Sequence, residues 1–501
     1  MTDTNQTRLP LAGTRVVDIS NVISLPYAGG ILADLGAEVI KIERTARPDT
    51  TRGNAASSVY ADNEPGEDPW NRTGTFHVLN RGKKSLTLDL SQEAGRDVLR
   101  DLIRVSDVLT ENFTPRVMRG WGLDYPNAAK LNPNLIMLSC SGYGQEGPYA
   151  RYPGQATTQE ATHGLVHITG YRGDVPSKAG QSFVDFLASW SLLMGATLGL
   201  RYRHRFGKGL WVDVAMYQLG CGMLSEHILD WEANRRLEER IGNRHPWLAP
   251  QGCYRCAGAD DWCVVSVHDD AEWAALCGVI GQPELASDPR FATNDARTRN
   301  HDAIDTIIAA WTAGVSKFAA MHTLQAAGVR AGAVFDARDM HLDRHARARG
   351  MLEKIRFPPE RAMGERVIIG RPWRLSRVPL SVGGPGPMLG EHNRDVIQGL
   401  LGYDDARFAE LEQAGIVGTQ PTTLRPIAGL TMDERVRRGR LASWDPDYKE
   451  RLGIEDLAAP PRDDGGHGCP SLVCSDGPEP FIIPLVRRSR SAAKASGPAR
   501  R

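Results

Sequence analysis

The sequence predicts an α/β fold: a large domain built on a Rossmann-like parallel sheet, with a smaller α+β domain inserted in it. Three observations predict this. Short apolar runs alternate with helix-length amphipathic segments through the first part of the chain. The chain has 501 residues, 41% hydrophobic and 24% charged, which suffices for a large core and two or more domains. Near residue 225 the pattern changes to a stretch rich in Glu and Arg.

The first elements follow a β-α-β order. Residues 14–19 (TRVVDI) predict a strand, residues 27–35 a helix and residues 37–42 a second strand. The same order returns in LTLDL, EAGRDVLRDLIRV and DVLTEN, and NLIMLS predicts one more strand. Strands that alternate with helices favour a parallel sheet covered by helices on its faces.

The predicted large domain spans residues 1–225 and resumes at 329–420, around a small domain at 226–328. In the small domain WEANRRLEERI predicts a helix, strands follow near Cys253 and Val264, and helices follow around Trp273 and residues 304–311. Residues 421–501 form a C-terminal extension. Within it DERVRRGRLASWDPDYKERLG predicts one or two helices, whereas PPRDDGGHGCP and SRSAAKASGPARR have too little apolar surface to order and predict flexible segments.

Charge and cysteine content exclude several function classes. Sixty acidic and sixty basic residues give no net charge, so no field attracts nucleic acid or an anionic membrane. The start, MTDTNQTRLPLAG, lacks the apolar core of a secretory signal, and eight cysteines in so long a chain indicate a reduced, cytoplasmic protein. Cys253 and Cys256 have the spacing of half a zinc site, but no second pair follows, and we predict no metal.

A glycine-rich motif follows the strand NLIMLS. Gly142, Gly144 and Gly147 form a G-x-G-x-x-G, which in a dinucleotide-binding fold opens a helix onto a pyrophosphate. Pro148 and the polar stretch after it oppose a helix here, and no acidic residue stands at the end of a following strand about twenty positions later. We therefore predict a glycine-rich loop and no nicotinamide cofactor.

Asp185 is the only charged side chain in the apolar run SFVDFLASWSLLMGATLGL, residues 182–200. Burying an unpaired carboxylate is costly, so such a residue has a function or a structural partner. A helix that begins near Ser182 would place Asp185 in its first turn, where free N–H groups and the helix dipole favour a carboxylate. Two interpretations stay open here: a reactive carboxylate, or a helix cap. Internal Asp, Ser, Thr and Gly residues make the run a poor membrane span.

The stretch VVDISNVISLPYAGGILADLGAEVIKIER (residues 16–44) resembles the N-terminal signature of the class III CoA-transferase family, of CaiB/BaiF type, which includes formyl-CoA transferases and α-methylacyl-CoA racemases. Further motifs match in the expected order, and the resemblance spans roughly residues 9–417. They are residues 80–89, 111–115, 138–149, 208–214 and 389–392.

The resemblance implies that Asp185, after a glycine-containing loop, is a nucleophile that carries CoA as an aspartyl thioester. It implies CoA as a substrate and no permanently bound cofactor. An acyl-CoA and a carboxylic acid are the implied partners, in a homodimer whose two chains interlock. The residues implied to contact CoA are Val22, Ile23, Arg44, Leu79, Asn80, Lys83, Asn112 and Phe113. Arg and Lys side chains suit the phosphates of CoA. We add backbone N–H groups of residues 142–147 as an oxyanion site.

Some positions depart from the family pattern. A basic CoA contact of the formyl-CoA transferases falls at Gly120, beside Arg119, and their glycine-rich lid has no counterpart between Asn243 and Gly252, which argues against oxalate or formate as substrate. The racemases pair the aspartate with a histidine, but Gln155 occupies that position and cannot exchange protons.

Three functions therefore stand side by side. A CoA-transferase is favoured. An α-methylacyl-CoA racemase would need His163 or His167 as a substitute base, and both are expected to be packing or surface residues. A catalytically silent CoA-binding scaffold would owe its role to the C-terminal extension.

Overall fold

The computed structural model describes residues 9–53, 59–180, 182–361, 363–423, 431–439 and 441–454. Residues 1–458 form one compact unit. Residues 459–501 form a second unit, which lies outside the described residues, as do the two segments predicted to be flexible.

A six-stranded sheet forms the centre of the large unit. Its strands are β1 (Arg15–Asp18), β2 (Glu38–Glu43), β3 (Lys84–Thr87), β4 (Val108–Glu111), β5 (Ile136–Ser141) and β6 (Trp211–Ala215). All neighbours are parallel, in the spatial order β3-β2-β1-β4-β5-β6. The predicted α/β class with a parallel sheet is confirmed. In this order the chain changes direction between β1 and β4, and the crevice above such a point is where open α/β sheets bind ligands.

Helices cover both faces of the sheet because its strands are apolar on both sides. Two separate apolar clusters flank it, one around Val17 and Ile40 and one around Val16 and Val39. These are alternating residues of β1 and β2, which point to opposite faces. The helices of this part are α1 (Ser24–Asp34), α2 (Gly74–Leu79), α3 (Glu93–Arg104), α4 (Pro115–Gly120), α5 (Tyr125–Leu131), α6 (Ala156–Thr162), α7 (Leu165–Ile168), α8 (Phe183–Phe206), α9 (Met216–Met223) and α10 (Ser225–Asn234).

The long helix α8 lies directly on the sheet. Two glycines permit this close approach: a Cβ at Gly199 would come within 2.6 Å of the Ile136 side chain, and one at Gly195 within 3.1 Å of Val212. Among the described residues, α8 is also the one helix long and apolar enough to cross a membrane by length and composition. Packing on α1 and β5 buries part of this helix, whereas Met194 and Leu198 stay exposed.

A second sheet is antiparallel, in the order β7-β8-β9, with strands β7 (Gln251–Arg255), β8 (Trp262–Ser266) and β9 (Arg330–Ala333). It has an apolar cluster of its own, which includes Tyr254, Trp273 and Ile308. Around it lie α11 (Asp270–Val279), α12 (Asn294–Arg299), α13 (His301–Thr312) and α14 (Lys317–Ala326). Because β9 pairs with β8, the domain boundary predicted at residue 328 falls before the last strand of this sheet.

The helix predicted over WEANRRLEERI is wrong in its second half. Helix α10 ends at Asn234, and Arg235 takes a left-handed conformation with φ 55° that breaks it. Arg236 then folds back to pair with Asp230, an ion pair that the helical pattern did not predict.

The remaining chain is mostly short elements. A hairpin of β10 (Leu352–Arg356) and β11 (Glu365–Ile369) follows α15 (Ala337–Leu342) and α16 (Arg344–Ala348). The end of the described chain contains a π-helical turn (Asp395–Leu400), α17 (Asp405–Gln413), α18 (Met432–Arg437) and α19 (Tyr448–Leu452). The helices predicted in the extension, α18 and α19, are confirmed.

Candidate active site

Asp185 is the third residue of α8, whose first turn follows Ser182. Its side chain is half-buried, and across the described part of the chain no hydrogen bond or ion pair engages its carboxylate. Only the backbone of this residue is bonded: its N–H donates to Ser182 O at 3.1 Å, and its carbonyl accepts from the Ser189 hydroxyl at 2.9 Å. Among the described residues no N–H group of the first turn donates to this carboxylate, so the cap interpretation is not supported.

Burial raises the pKa of Asp185 from 3.8 to about 6, and the negative charge of Glu160 adds to this rise. A carboxylate with this pKa is still mostly ionised at neutral pH and is more basic than an ordinary aspartate. Perturbation of this kind is typical of catalytic carboxylates.

Helix α8 connects Asp185 to the loop after β1. The Ser189 hydroxyl, one turn from Asp185, shares its one proton between Asp185 O and Ser24 O, the latter at 2.7 Å, and Ser24 begins α1 directly after Val22 and Ile23. Val22 has φ 74°, a strained conformation for a β-branched residue, and its N–H donates to the Asp49 carboxylate at 3.2 Å. Val22 is exposed and Ile23 is half-buried, so both reach the surface just before the start of α1.

The loop after β4 lies beside the loop after β1. Asn112 and Asn21 bond reciprocally: the Asn112 amide donates to Asn21 O at 2.6 Å, and Asn21 N–H donates back at 2.9 Å. Phe113 is half-buried against Trp121 and is fixed by its N–H bond to Glu111 at 2.8 Å. Four of the residues implied to contact CoA, Val22, Ile23, Asn112 and Phe113, thus flank the crevice between β1 and β4.

Three others lie in the interior. Leu79, Asn80 and Lys83 are buried, and the Lys83 ammonium bonds the Asp18 carboxylate at 2.7 Å and the Asn80 amide oxygen at 2.9 Å. Burial lowers the pKa of Lys83 to about 8, while its ammonium and that of Lys41 hold the pKa of Asp18 well below its usual range despite burial. In this arrangement the Lys83 charge is compensated inside the protein rather than presented to a ligand.

Arg44 is exposed beyond β2 and pairs with Asp89 at 3.0 Å. A surface cavity of about 1010 Å³ opens between the loops after β4 and β5, next to Phe113. Arg116, Arg119 and Arg151 line it; Arg119 donates only to Gln145 O, at 3.4 Å, and the other two have no acidic partner in the described ranges. Gly120, where the family pattern has a basic residue, lines the same cavity beside Arg119.

Residues 142–147 form a loop and the next helix begins only at Ala156, so the predicted glycine-rich loop is confirmed. Its Gln145 N–H already donates to the Asp213 carboxylate at 2.9 Å. That N–H group is therefore not free for an oxyanion, and the predicted oxyanion role of this loop stays a prediction for its other N–H groups.

Sequence reasoning missed a buried polar cluster at the end of α6, formed by Gln159, Glu160 and the C-cap residue His163. Both amide atoms of Gln159, one carboxylate oxygen of Glu160 and both ring nitrogens of His163 are buried without a hydrogen-bond partner. A local sequence of polar residues, ATTQEATH, gives no sign of burial; the packing of α8 and α9 over α6 produces it. Gln155, in contrast, is an exposed cap of α6, and His167 is exposed, as predicted.

Within the described ranges, no group of three or more His, Cys, Asp or Glu side chains is placed to hold a metal ion. Cys253, Cys256 and Cys263 lie near one another at the β7–β8 pair and are free thiols. Burial raises the pKa of Cys263 to about 11, so this thiol is protonated at neutral pH.

The chain matches known proteins over most of its length. A model of CoA-transferase family III matches residues 11–393. The succinyl-CoA–D-citramalate CoA-transferase of Chloroflexus aurantiacus is 34% identical over 409 residues, which are 81% of this chain and 98% of that protein. The acetyl-CoA:oxalate CoA-transferase of Acetobacter aceti is 37% identical over 69% of this chain and 86% of its own length. A solved CaiB/BaiF family protein from Brucella suis is 30% identical, with a TM-score of 0.70. The match covers 79% of this chain and 100% of that protein.

Proposed function

The chain belongs to CoA-transferase family III, and on this premise we propose that Asp185 carries CoA between an acyl-CoA donor and a free carboxylic acid. The acyl-CoA is a substrate of such an enzyme rather than a resident cofactor. One observation above all supports the role of Asp185: its carboxylate is half-buried, unpartnered among the described residues and raised in pKa to about 6.

The reaction follows from the chemistry of a carboxylate and a thioester. An Asp185 oxygen attacks the donor's thioester carbonyl, the C–S bond breaks, and a mixed anhydride and CoA thiolate result. The thiolate attacks the Asp185 carbonyl carbon, which releases the donor acid and leaves CoA on Asp185 as a thioester. The acceptor carboxylate attacks this thioester and releases the thiolate, which then attacks the acceptor's acyl carbon and restores the Asp185 carboxylate. No proton is gained or lost over the cycle.

Burial serves this cycle in two ways. The anhydride and the thioester both hydrolyse if water reaches them, so a half-buried nucleophile conserves the thioester energy. The raised pKa makes the carboxylate a stronger nucleophile while most of it stays ionised at neutral pH.

Two alternatives lose support. A racemase needs an acid/base group on each face of the α-carbon, but Gln155 is an exposed amide that caps α6, and His163 is packed against Gly220. A catalytically silent scaffold does not require a carboxylate with a raised pKa and no partner among the described residues, such as that of Asp185. Deuterium incorporation at the α-carbon without CoA exchange would favour the racemase.

We place CoA in the crevice between the loops after β1 and β4. Val22, Ile23, Asn112 and Phe113 flank it, and the three arginines of the neighbouring cavity offer charges for its phosphates. For the adenine end of CoA we propose Arg44, which is exposed beyond β2. For the buried residues Leu79, Asn80 and Lys83 we propose a structural role beneath the CoA site. Lys83 pairs with Asp18 at the end of β1 and so stabilises the start of the loop that flanks CoA.

Arg119→Ala tests this placement. We expect KM for acyl-CoA to rise by about tenfold with kcat changed little, because a lost charge-assisted bond to phosphate costs about 1.5 kcal/mol of binding. Steady-state kinetics at several donor concentrations measure it. Lys130→Ala, an exposed lysine outside the cavity, is the control, and equal KM values in the two variants would contradict the placement.

We also propose that two copies form a homodimer through α8 and α10. Apolar side chains stay exposed on these helices, with Met194 61%, Leu198 59% and Leu229 65% accessible. Met194 and Leu198 lie one turn apart on α8, and neighbouring exposed apolar side chains favour an interface with another protein surface.

Met194→Glu combined with Leu198→Glu tests the dimer. The wild type is expected to have twice the chain mass of 54.9 kDa in solution, and the double variant to shift toward the monomer because it buries two charges at the interface. Light scattering after gel filtration measures the mass. An exposed polar change on α17, Glu412→Lys, is the control, and a monomeric wild type would refute the proposal.

The relatives suggest which substrates to try. Their names include succinyl-CoA and acetyl-CoA as donors and D-citramalate and oxalate as acceptors. The test of the proposed function is to mix each donor with each acid and follow new acyl-CoA by chromatography. Transfer to at least one acid supports it, and hydrolysis alone with every pair opposes it. We also propose the cytoplasm as the location, which the free thiols of the described residues support.

A further inference from the structure

Glu160 is completely buried on α6, next to the first turn of α8. Its Oε1 accepts a hydrogen bond from the N–H of Phe183 at 3.1 Å, while its Oε2 is buried with no hydrogen-bond partner. No lysine, arginine or histidine forms an ion pair with it anywhere in the described chain. A buried carboxylate without a counter-ion is costly to keep, so its presence beside the nucleophile calls for a reason.

The start of α8 depends on this side chain. Ser182 occupies the cap position in a left-handed conformation, φ 51°, and its hydroxyl caps no N–H group. The Phe183 N–H, which would be unpaired at a helix start, is instead satisfied by Glu160 from another helix. Because Asp185 lies two residues beyond Phe183, the same bond fixes the turn that presents the nucleophile.

Glu160 also interacts with the Asp185 carboxylate through its charge. Its negative charge adds to burial in raising the pKa of Asp185. Other titratable groups on the elements packed around this turn are Tyr27 of α1, Cys140 of β5, His163 of α6, and Tyr217 and Cys221 of α9, with Glu111 and Asp213 beyond Cys140. Burial raises the pKa of Cys140 to about 12 and lowers that of His163, which leaves both neutral at neutral pH.

We propose that Glu160 is a positioning residue for the nucleophile: it holds the first turn of α8 by its bond to Phe183 and places a second negative charge beside the Asp185 carboxylate. The proposal rests on the proposed role of Asp185 in CoA transfer. It separates two functions of one side chain, a hydrogen bond and a charge, and these respond differently to substitution.

Glu160→Gln keeps a carbonyl oxygen for the Phe183 N–H but removes the charge. Asp185 is active when ionised, so kcat/KM rises with pH through its pKa and levels off above it. When the Glu160 charge is removed, the pKa of Asp185 falls. We therefore expect the rise of kcat/KM with pH to move to lower pH by about 0.5 to 1 unit. Glu160→Asp keeps a charge and is expected to leave the rise near the wild-type position. Glu410→Gln, on an exposed surface of α17, is the matched control.

A second readout does not depend on turnover. Carbodiimide couples an amine to the protonated carboxyl, so the labelling of Asp185 against pH, measured by mass spectrometry of its peptide, reports its pKa directly. In the wild type the midpoint is expected near pH 6, and in Glu160→Gln about 0.5 to 1 unit lower.

A wild-type midpoint near 3.8 would overturn the proposal even if the Gln variant failed to fold. A folded Glu160→Gln variant whose labelling midpoint for Asp185 and pH profile of kcat/KM equal those of the wild type would also overturn the proposal. The two proposals fail differently: a wild type that transfers no CoA but labels near pH 6 rejects the role of Asp185 in transfer, whereas normal transfer with an unmoved profile rejects only the role of Glu160.

Discussion

Asp185→Asn is expected to abolish CoA transfer, with kcat lower by at least about 10³-fold. The amide has nearly the shape of the carboxylate but cannot attack the thioester carbonyl or form the covalent intermediate. No hydrogen bond to this side chain is lost among the described residues, so the fold should not suffer. Transfer kinetics with the best donor and acid measure the effect, and circular dichroism checks the fold.

The matched control for this variant is Asp405→Asn, the same exchange at an exposed aspartate on α17. It is expected to transfer CoA at the wild-type rate. If Asp185→Asn kept more than about a tenth of the wild-type kcat, a covalent role for Asp185 would be untenable.

Lys83→Ala is expected to destabilise the protein by about 3 to 5 kcal/mol, because it removes the ion-pair partner of the Asp18 carboxylate, which stays buried. The ion pair is fully interior, with the Lys83 side chain 0% and that of Asp18 1% accessible. Its neighbour supplies the control: Lys84 pairs with Glu38 at the surface, 39% accessible, and Lys84→Ala should cost less than about 1 kcal/mol.

Denaturant unfolding of the two lysine variants measures this difference. A shift of the midpoint in Lys83→Ala alone supports the structural role of the pair. Should Lys83→Ala instead unfold like the wild type and only raise KM for acyl-CoA, Lys83 would be a ligand contact, as the family resemblance implies.

The parallel sheet could be predicted because its strands, apart from β6, are almost wholly buried on both faces. Runs such as VVDI and VIKI are apolar enough to indicate strands without alternation, and the helices between them predict a parallel arrangement. The end of α10 could not be predicted, since Arg235 is a good helix former by sequence, yet its backbone takes a left-handed conformation. Strand β9 was missed because its pairing with β8 is set by distant residues.

The site divides in the same way. Asp185 could be found from its local pattern, a single acid in an apolar run. Glu160 could not, because its polar surroundings in sequence resemble a solvent-exposed helix, and only the packing of α8 and α9 buries it. For Lys83 the family resemblance implies a contact with CoA, whereas the structure pairs it with Asp18, the last residue of β1.

Trapping the covalent intermediate tests the central claim most directly. The protein is mixed with a donor acyl-CoA without acceptor, and its peptides are analysed by mass spectrometry, with and without borohydride, which reduces a thioester but not a free carboxylate. The account predicts an adduct of CoA less one water on the peptide that contains Asp185, converted by borohydride to the alcohol and absent in Asp185→Asn. Active enzyme that transfers CoA while this peptide stays unmodified would contradict it.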